Sequence, residues 1–508
     1  MRRALSLVAG AVVAALGVAI VPVGSASSAE LNLPPIPAVS GFPIPSFPTD
    51  LLVPKFIGSA ATERPLDHPP IPQNPWLAPN GSNSMHNDAY ASDAYSVSGP
   101  LGRNLKVTSA SYGIRECATM AFDSRGRVVG LCGGLEGFTM MVIDPVTLKP
   151  ISELRTSARN LLTGTNPFTD ICGGTYFFLD AEDTAYPTTG DKTVQKIKVQ
   201  ADGKLVKQHE WPLVDHVPTD DCLIATMPDW DGRIWFFTQQ GVVGTIDRDS
   251  GAVQTTHLAD GEQVTNSVAT DETGGMYVVS THALYRLDAT AEGVPGITWR
   301  ETYDRGTRVK PGNLSQGSGT TPTLLGKRWV AINDNADPQT NILVYDRRTG
   351  VEDRLHCTQP VLAANAGTTD NSLVAAGDSF IIENNYGYSG PTSTMLGQTT
   401  TPGIARVMVH NDGCHVAWTN DSIAPSSVAK ASLGNGLLYA YTKPKLAKAN
   451  EVDAWYFTAI DIRTGKTAWS RLTGTGIQWN NHYAAIYLGP DGAAYIATLA
   501  GLVRITDS

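Results

Sequence analysis

Seven polar side chains recur about every 50 residues along this 508-residue chain: Glu116, Asp221, Asn266, Thr321, Asn371, Ser426 and Asn481, with Ile171 holding the eighth equivalent position. If the repeats close on a common axis, these residues form a polar ring. Oxygen donors from Asn and Glu suit hard cations such as Ca2+ or Mg2+, so Asn266, Asn371, Asn481 and Glu383 are expected metal ligands. His482 follows Asn481 where the other segments mostly place Cys, Ser or Pro, and with Asp221 and Glu116 it makes a candidate acid/base set. Asp334 and Asn335 in AINDNADP, Asn385, Tyr386 and Tyr388 in IIENNYGY, and Trp479 are expected to contact a substrate. His86, in MHNDAY, is a second histidine of interest outside the repeats. Each residue also has an architectural reading: polar strand ends beside a hydrated channel satisfy backbone groups, and a Trp packs between sheets.

The elements that must position these residues follow from the segments they open. ECATMAFDSRG, DDCLIATMPDWDG, TNSVATDETGG and NHYAAIYLGPDG share one order: a polar pair, a strand of small or β-branched residues, a Gly- or Asp-containing turn, then an apolar strand such as RIWFFT, MYVVS, FIIE or AAYIAT. The second residues of the pairs, from Cys117 to His482, are separated by 55, 50, 45, 55, 50, 55 and 55. A strand-borne period of this size predicts an all-β, eight-bladed propeller over 104–508. The last repeat ends one strand short, and LKVTSASY from Leu105 is expected to complete it beside GLVRIT, which removes an open sheet edge.

The turn AIDIRTGKTAW, Ala459 to Trp469, fits the pattern A-x-D-x-x-T-G-x-x-x-W, and Trp211, Trp299 and Trp418 hold comparable places. It resembles the tryptophan-docking repeat of the quinoprotein (PQQ-like repeat) superfamily of eight-bladed propellers. The resemblance implies Trp packing between blades and admits PQQ as a cofactor. No adjacent Cys pair of the kind such dehydrogenases use beside the quinone is present, which ranks PQQ behind a divalent cation.

Met1, Arg2 and Arg3 precede an apolar run from Ala4 to Val23 and the small residues GSASSA, the pattern of a signal peptide over 1–29 and of a secreted or cell-wall-associated product. In that setting six cysteines are read as three disulfides. Cys117 and Cys132 face each other across a hairpin, Cys172 and Cys222 occupy one position in consecutive repeats, and Cys357 and Cys414 remain. Residues 30–103 form a Pro-rich arm, in which the stretch from Leu31 to Pro79 holds 13 of the 32 prolines and is expected to be an extended arm or linker unable to form a sheet ladder. A net charge of -10 argues against nucleic acid or anionic lipid. No further apolar run could span a bilayer, and a monomer is expected.

Nucleophile-elbow, HExxH, P-loop, EF-hand and haem-attachment motifs are absent from the sequence. Three functions remain open: a metal-assisted extracellular hydrolase or lyase acting on a small molecule or glycan, a quinoprotein-like oxidoreductase, and a non-catalytic binding propeller.

Overall fold

The computed structural model describes residues 40–158, 170–173, 175–445 and 452–508. The expected signal peptide lies outside them. The strands build eight consecutive blades, as the period predicts. The second strands are apolar without alternation, and Ile234–Thr238 is buried at every position. The reason is that each blade is covered on both faces by its neighbours. Outermost strands are partly in solvent instead, as Leu205–Pro212 and Val253–His257 are. Blade 2 has three strands in its ladder, Thr184–Ala185, Thr193–Val199 and Leu205–Pro212, and its inner edge is reduced to a bridge between Leu179 and Ala185.

Blade 8 closes as expected. Lys106–Ser111 pairs antiparallel with Gly501–Thr506, from Lys106 opposite Thr506 to Ser111 opposite Gly501. The junction also rebuilds a turn across the chain ends. In the recurrent Asp-x-x-Thr/Ser-Gly turn the Asp carboxylate accepts from backbone N–H groups, as Asp461 does from Thr464 at 2.8 Å. At the closure Asp507 accepts from Leu101 N–H at 2.7 Å and Arg103 N–H at 2.6 Å, and Gly102 takes the turn glycine's place. Trp residues dock on these turns from the preceding blade: Trp418 lies against Gly465 and donates to Ile462 O at 2.7 Å, Trp211 reaches Gly251, and Trp469 covers Gly102. A Cβ on Gly102, at φ +93°, would stand 2.8 Å from the Trp469 ring. Gly102→Ala should therefore cost about 1–3 kcal/mol, read as a lowered thermal midpoint; an unchanged midpoint would mean the closure is looser than this packing.

All three expected disulfides are present, with Cα separations of 3.8 Å for Cys117–Cys132, 5.5 Å for Cys172–Cys222 and 6.0 Å for Cys357–Cys414. The first lies within blade 1, the second ties blade 2 to blade 3, and the third ties the outer strands of blades 5 and 6.

The arm departs from expectation. Val39–Ser508 is one compact unit, so the described arm is part of the propeller body. Phe56–Gly58 pairs with Trp469–Arg471 on the outer edge of blade 7, and Ala94–Tyr95 runs parallel to Ala431–Ser432 on its inner edge, making that sheet six-stranded. Both stretches are free of proline and keep their N–H groups; Pro54 and Pro65 flank the first from outside the pairing.

Between these strands the chain crosses the channel end. Inner strands offer a row of edge N–H groups to the axis, and arm carbonyls accept them: Ser82 from Phe122, Asn83 from Leu179, Ala89 from Thr270, Tyr90 from Leu324, Ser92 from Ala375 and Asp93 from Ala431. Asn74 reaches Pro228 O of blade 3. Three left-handed residues, Asn87, Ala91 and Asp93, turn the segment along this circle. Buried edge groups left unpaired would be costly, and the arm satisfies them.

Candidate functional site

The arm converts the channel into a pocket. A cavity of about 160 Å3 has Met85 and His86 in its floor and Glu116, Ile171, Asp370, His482 and Tyr483 higher on its walls. Several of these residues stand in the irregular stretches just before the inner strands: Asp370 precedes Val374–Ala375, and His482 and Tyr483 precede Ile486–Leu488. Glu116 and Ala118 line the cavity on blade 1, as do Asp370 and Ser372 at the start of blade 6.

At the floor, the His86 Nδ1–H donates to Asp93, with contacts of 3.1 and 3.2 Å to the two oxygens, and Nε2 accepts from Thr321 Oγ at 3.1 Å. Asp93 also accepts from Ser372 Oγ and pairs with the Lys430 ammonium. Lys430 and Asp93 side chains are both fully buried, and Lys430 donates in addition to Met85 O at 2.6 Å. Burial alone would raise the Asp93 carboxyl, but the Lys430 charge and the donated hydrogen bonds hold it below the usual carboxylate range. Burial depresses Lys430 against the opposing pull of Asp93.

On the wall, Glu116 from blade 1 and His482 from blade 8 meet. The Glu116 residue is 9% exposed and its Oε1 is buried without a hydrogen-bond partner. Burial pushes its carboxyl well above the ordinary range, against the His482 backbone N–H that donates to it. His482 Nδ1 lies 2.9 Å from the Tyr388 hydroxyl, which donates to Asn480 Oδ1 at 3.0 Å. The single hydroxyl proton being committed, Tyr388 accepts from His482, which places the imidazole proton on Nδ1 and makes Nε2 the basic nitrogen. Asp370 is pushed up to about 7 by burial, and its Oδ1 is likewise buried without a partner. A Cβ on Gly319 would stand 2.4 Å from that oxygen, so the glycine before blade 5 leaves Asp370 its place.

Of the acid/base set read from the sequence, Glu116 and His482 line the cavity together, whereas Asp221 does not. Its Oδ1 accepts from Cys222 N–H at 2.7 Å and Gln240 N–H at 2.8 Å, capping the start of blade 3. Of the expected cation ligands only Asn266 lines the cavity. The amides of Asn266 and Asn371 instead stitch neighbouring blades, donating to Ser318 O at 3.2 Å and Ser427 O at 2.6 Å. Asn481 donates to Ala497 O at 2.8 Å, and Glu383 accepts from Ala429 N–H at 3.1 Å. Among the described residues no group of three His, Cys, Asp or Glu side chains could hold a metal ion.

The expected substrate contacts also lie away from the cavity lining. Asn385 accepts from Asp370 N–H at 2.8 Å and Thr369 Oγ at 3.0 Å. Asp334 accepts from Asn341, Asn335 donates to Arg305 O at 2.8 Å, and Trp479 is buried in the blade 7 and 8 core. Tyr386 is part-exposed outside the cavity, and Tyr388 acts through His482. The missed residues are Asp370, Ser372, Tyr176 and Met85. Asp370 precedes the polar residue aligned with the ring by one position, in the irregular stretch before Val374–Ala375, where the Asn371 amide is turned to Ser427 O.

No known protein-family profile matches the chain. It is 27% identical over 320 residues to an uncharacterized protein of Archaeoglobus fulgidus, the alignment covering 55% of this chain and 60% of that protein. The chain thus spans about three fifths of the curated relative it matches. Similar solved structures are a streptogramin B lyase (12% identity, 79% of this chain and 98% of that one, TM-score 0.42) and BamB from Moraxella catarrhalis (12% identity, 64% and 93%, TM-score 0.38). The WD40 domain of SCAP from fission yeast is similar at 9% identity, over 80% of this chain and 99% of that domain, with a TM-score of 0.44.

Proposed function

We propose that the arm-closed pocket binds a small molecule and acts on it by proton transfer, as an extracellular lyase or hydrolase. The observation that carries this reading is the meeting of Glu116 and His482 from adjacent blades at one cavity wall, the first kept neutral by burial and the second oriented by Tyr388. A neutral carboxylic acid is a proton donor, and an imidazole with Nδ1 engaged is a base at Nε2. In an elimination, His482 removes a proton from carbon, the freed electron pair forms the double bond, and the leaving group departs with the Glu116 proton. Ile114, Leu135, Phe138 and Leu314 along the wall favour a ligand with an apolar body over a glycan. Three disulfides support an oxidising compartment outside the cytoplasm, and no helix of the described residues is long and apolar enough to cross a membrane.

The docking of Trp211 and Trp418 on neighbouring turns supports placing the chain with the PQQ-like repeat propellers, but the pocket does not suit the quinone itself. PQQ bears three carboxylates, and among the described residues the lining offers them the carboxyl groups of Glu116, Asp170 and Asp370 and no Arg or Lys. No step is assigned to a metal, since three of the four residues expected to bind one stand away from the cavity.

The test is turnover. Purified protein incubated with small-molecule fractions of culture medium should convert one component, seen by mass spectrometry as loss of a neutral fragment or gain of water. On that substrate His482→Ala should lower kcat by a factor of about 10² to 10⁴, with Glu116→Gln comparably slow. Wild-type rates in both variants would overturn the assignment and leave the cavity as the hydrated centre of a binding scaffold.

A further inference from the structure

The described lining of the pocket carries three carboxyl groups. Glu116, Asp170 and Asp370 contribute carboxyl groups, whereas no Arg or Lys lines the cavity among the described residues. The nearest buried ammonium, that of Lys430, is engaged by Asp93 and Met85 O beneath the floor. Two of the carboxyl groups keep a buried oxygen without a partner, Glu116 Oε1 and Asp370 Oδ1, and the Glu116 side chain belongs to a residue nine-tenths buried. A buried acceptor without a donor carries a desolvation cost that a bound hydrogen-bond donor relieves. Around them stand the rings of Tyr176, Tyr483 and Phe138, whose faces attract cations. The rim continues this apolar character, with Ile114 50% and Leu135 37% exposed.

Resting on the pocket reading above, we propose that the ligand is an amine: an ammonium group seated against Asp370 Oδ1 with Glu116 Oε1 within its reach, and an apolar body extending past Phe138 toward the Ile114 and Leu135 rim. The two carboxyl groups then differ in role. Glu116, the more strongly raised, remains protonated, and Asp370 ionises to face the cation. No mobile charge other than the ligand's own is required.

This arrangement has a definite pH signature. Asp370, at about 7, is largely protonated at pH 6 and largely ionised at pH 8. The titratable groups sharing its cavity are Tyr176, Tyr483, His86, His482, Glu116 and Asp170. An alkyl ammonium stays protonated across this interval. Binding therefore releases a proton from Asp370 at pH 6 and none at pH 8, and affinity should rise about tenfold between them.

The experiment is calorimetric titration of the purified protein with benzylammonium chloride, benzyl alcohol and benzoate at pH 6 and pH 8. Benzylammonium is expected to bind most tightly and about tenfold more tightly at pH 8. Asp370→Asn should weaken it by roughly 10- to 100-fold and abolish the pH dependence. Benzoate binding as well as the amine, or benzyl alcohol matching it with Asp370→Asn inert, would overturn the amine and leave the pocket standing. Binding of none of the three would overturn both the amine and the small-molecule pocket on which it rests.

Discussion

Asp93→Asn should destabilise the folded protein by about 3–5 kcal/mol. Asp93 belongs to the arm and Lys430 to the inner strand of blade 7, 337 residues apart, and both side chains are fully buried. Removing the carboxylate leaves a fully buried ammonium without its paired charge, and the lost attraction is not replaced by water. His86 and Ser372 lose their acceptor at the same time, so the pocket floor loosens with the arm. Joining Lys430→Met to Asp93→Asn removes the orphaned charge and should recover more than half of the loss, because a buried pair is worth little against well-packed neutral groups but much against a single survivor. Denaturant unfolding midpoints at constant slope measure both effects. An Asp93→Asn protein within about 1 kcal/mol of wild type would mean that the pair does not clip the arm into the channel.

Stability should also fall as the solution is made alkaline between pH 6 and 8, and Glu383→Gln should remove part of that fall. Burial pushes the Glu383 carboxyl up to about 8 from 4.5, against the N–H of Ala429 and the Asn371 amide that donate to it. A folded-state value above the unfolded one means that the folded protein binds the extra proton. The contribution is complete below about 4.5 and is lost as pH rises through about 8. Within that interval each such group lowers stability by about 1.4 kcal/mol per pH unit. Asp88 and Asp370, both pushed up to about 7 by burial, act in the same direction.

His68 acts in the opposite direction but at lower pH. Burial lowers it to about 4, so its contribution is present above 6.5 and lost as pH falls through 4. Asp93, Asp271 and Asp346 are held below the usual carboxylate range and titrate under the window. Glu383→Gln keeps the shape and the acceptor oxygen without the ionisation. Its stability from pH 6 to 8 should decline less steeply than that of wild type by about 1.4 kcal/mol per unit, with the variant the more stable at pH 8. Parallel pH profiles would show that Glu383 ionises at its ordinary value in the folded protein.

The blade architecture was legible because it is periodic and local. Each hairpin carries its own turn residues, so the sequence alone pairs Cys117 with Cys132 across one turn and Cys172 with Cys222 across one repeat. The closure by Lys106–Ser111 was legible for the same reason, since an incomplete last repeat leaves an edge that some strand must cover.

The pocket was not legible to the same degree, for two physical reasons. Aligning polar pairs locates strand starts but not where each side chain turns in the irregular stretch before the strand; the cavity receives Asp370 and Ser372 and not Asn371, and His482 and Tyr483 and not Asn481. The second reason is the arm. The prolines up to Pro79 argued for a strand-free stretch, yet Phe56–Gly58 pairs within it, and beyond it the segment from Ser82 to Tyr95 answers the inward N–H groups of the inner strands, a demand that exists only once the blades have closed into a ring. Sequence sufficed where the deciding interactions lie within one repeat; the floor of the pocket, with His86, Asp93 and Lys430, depends on contacts between chain segments up to 345 residues apart and is set by the assembled ring.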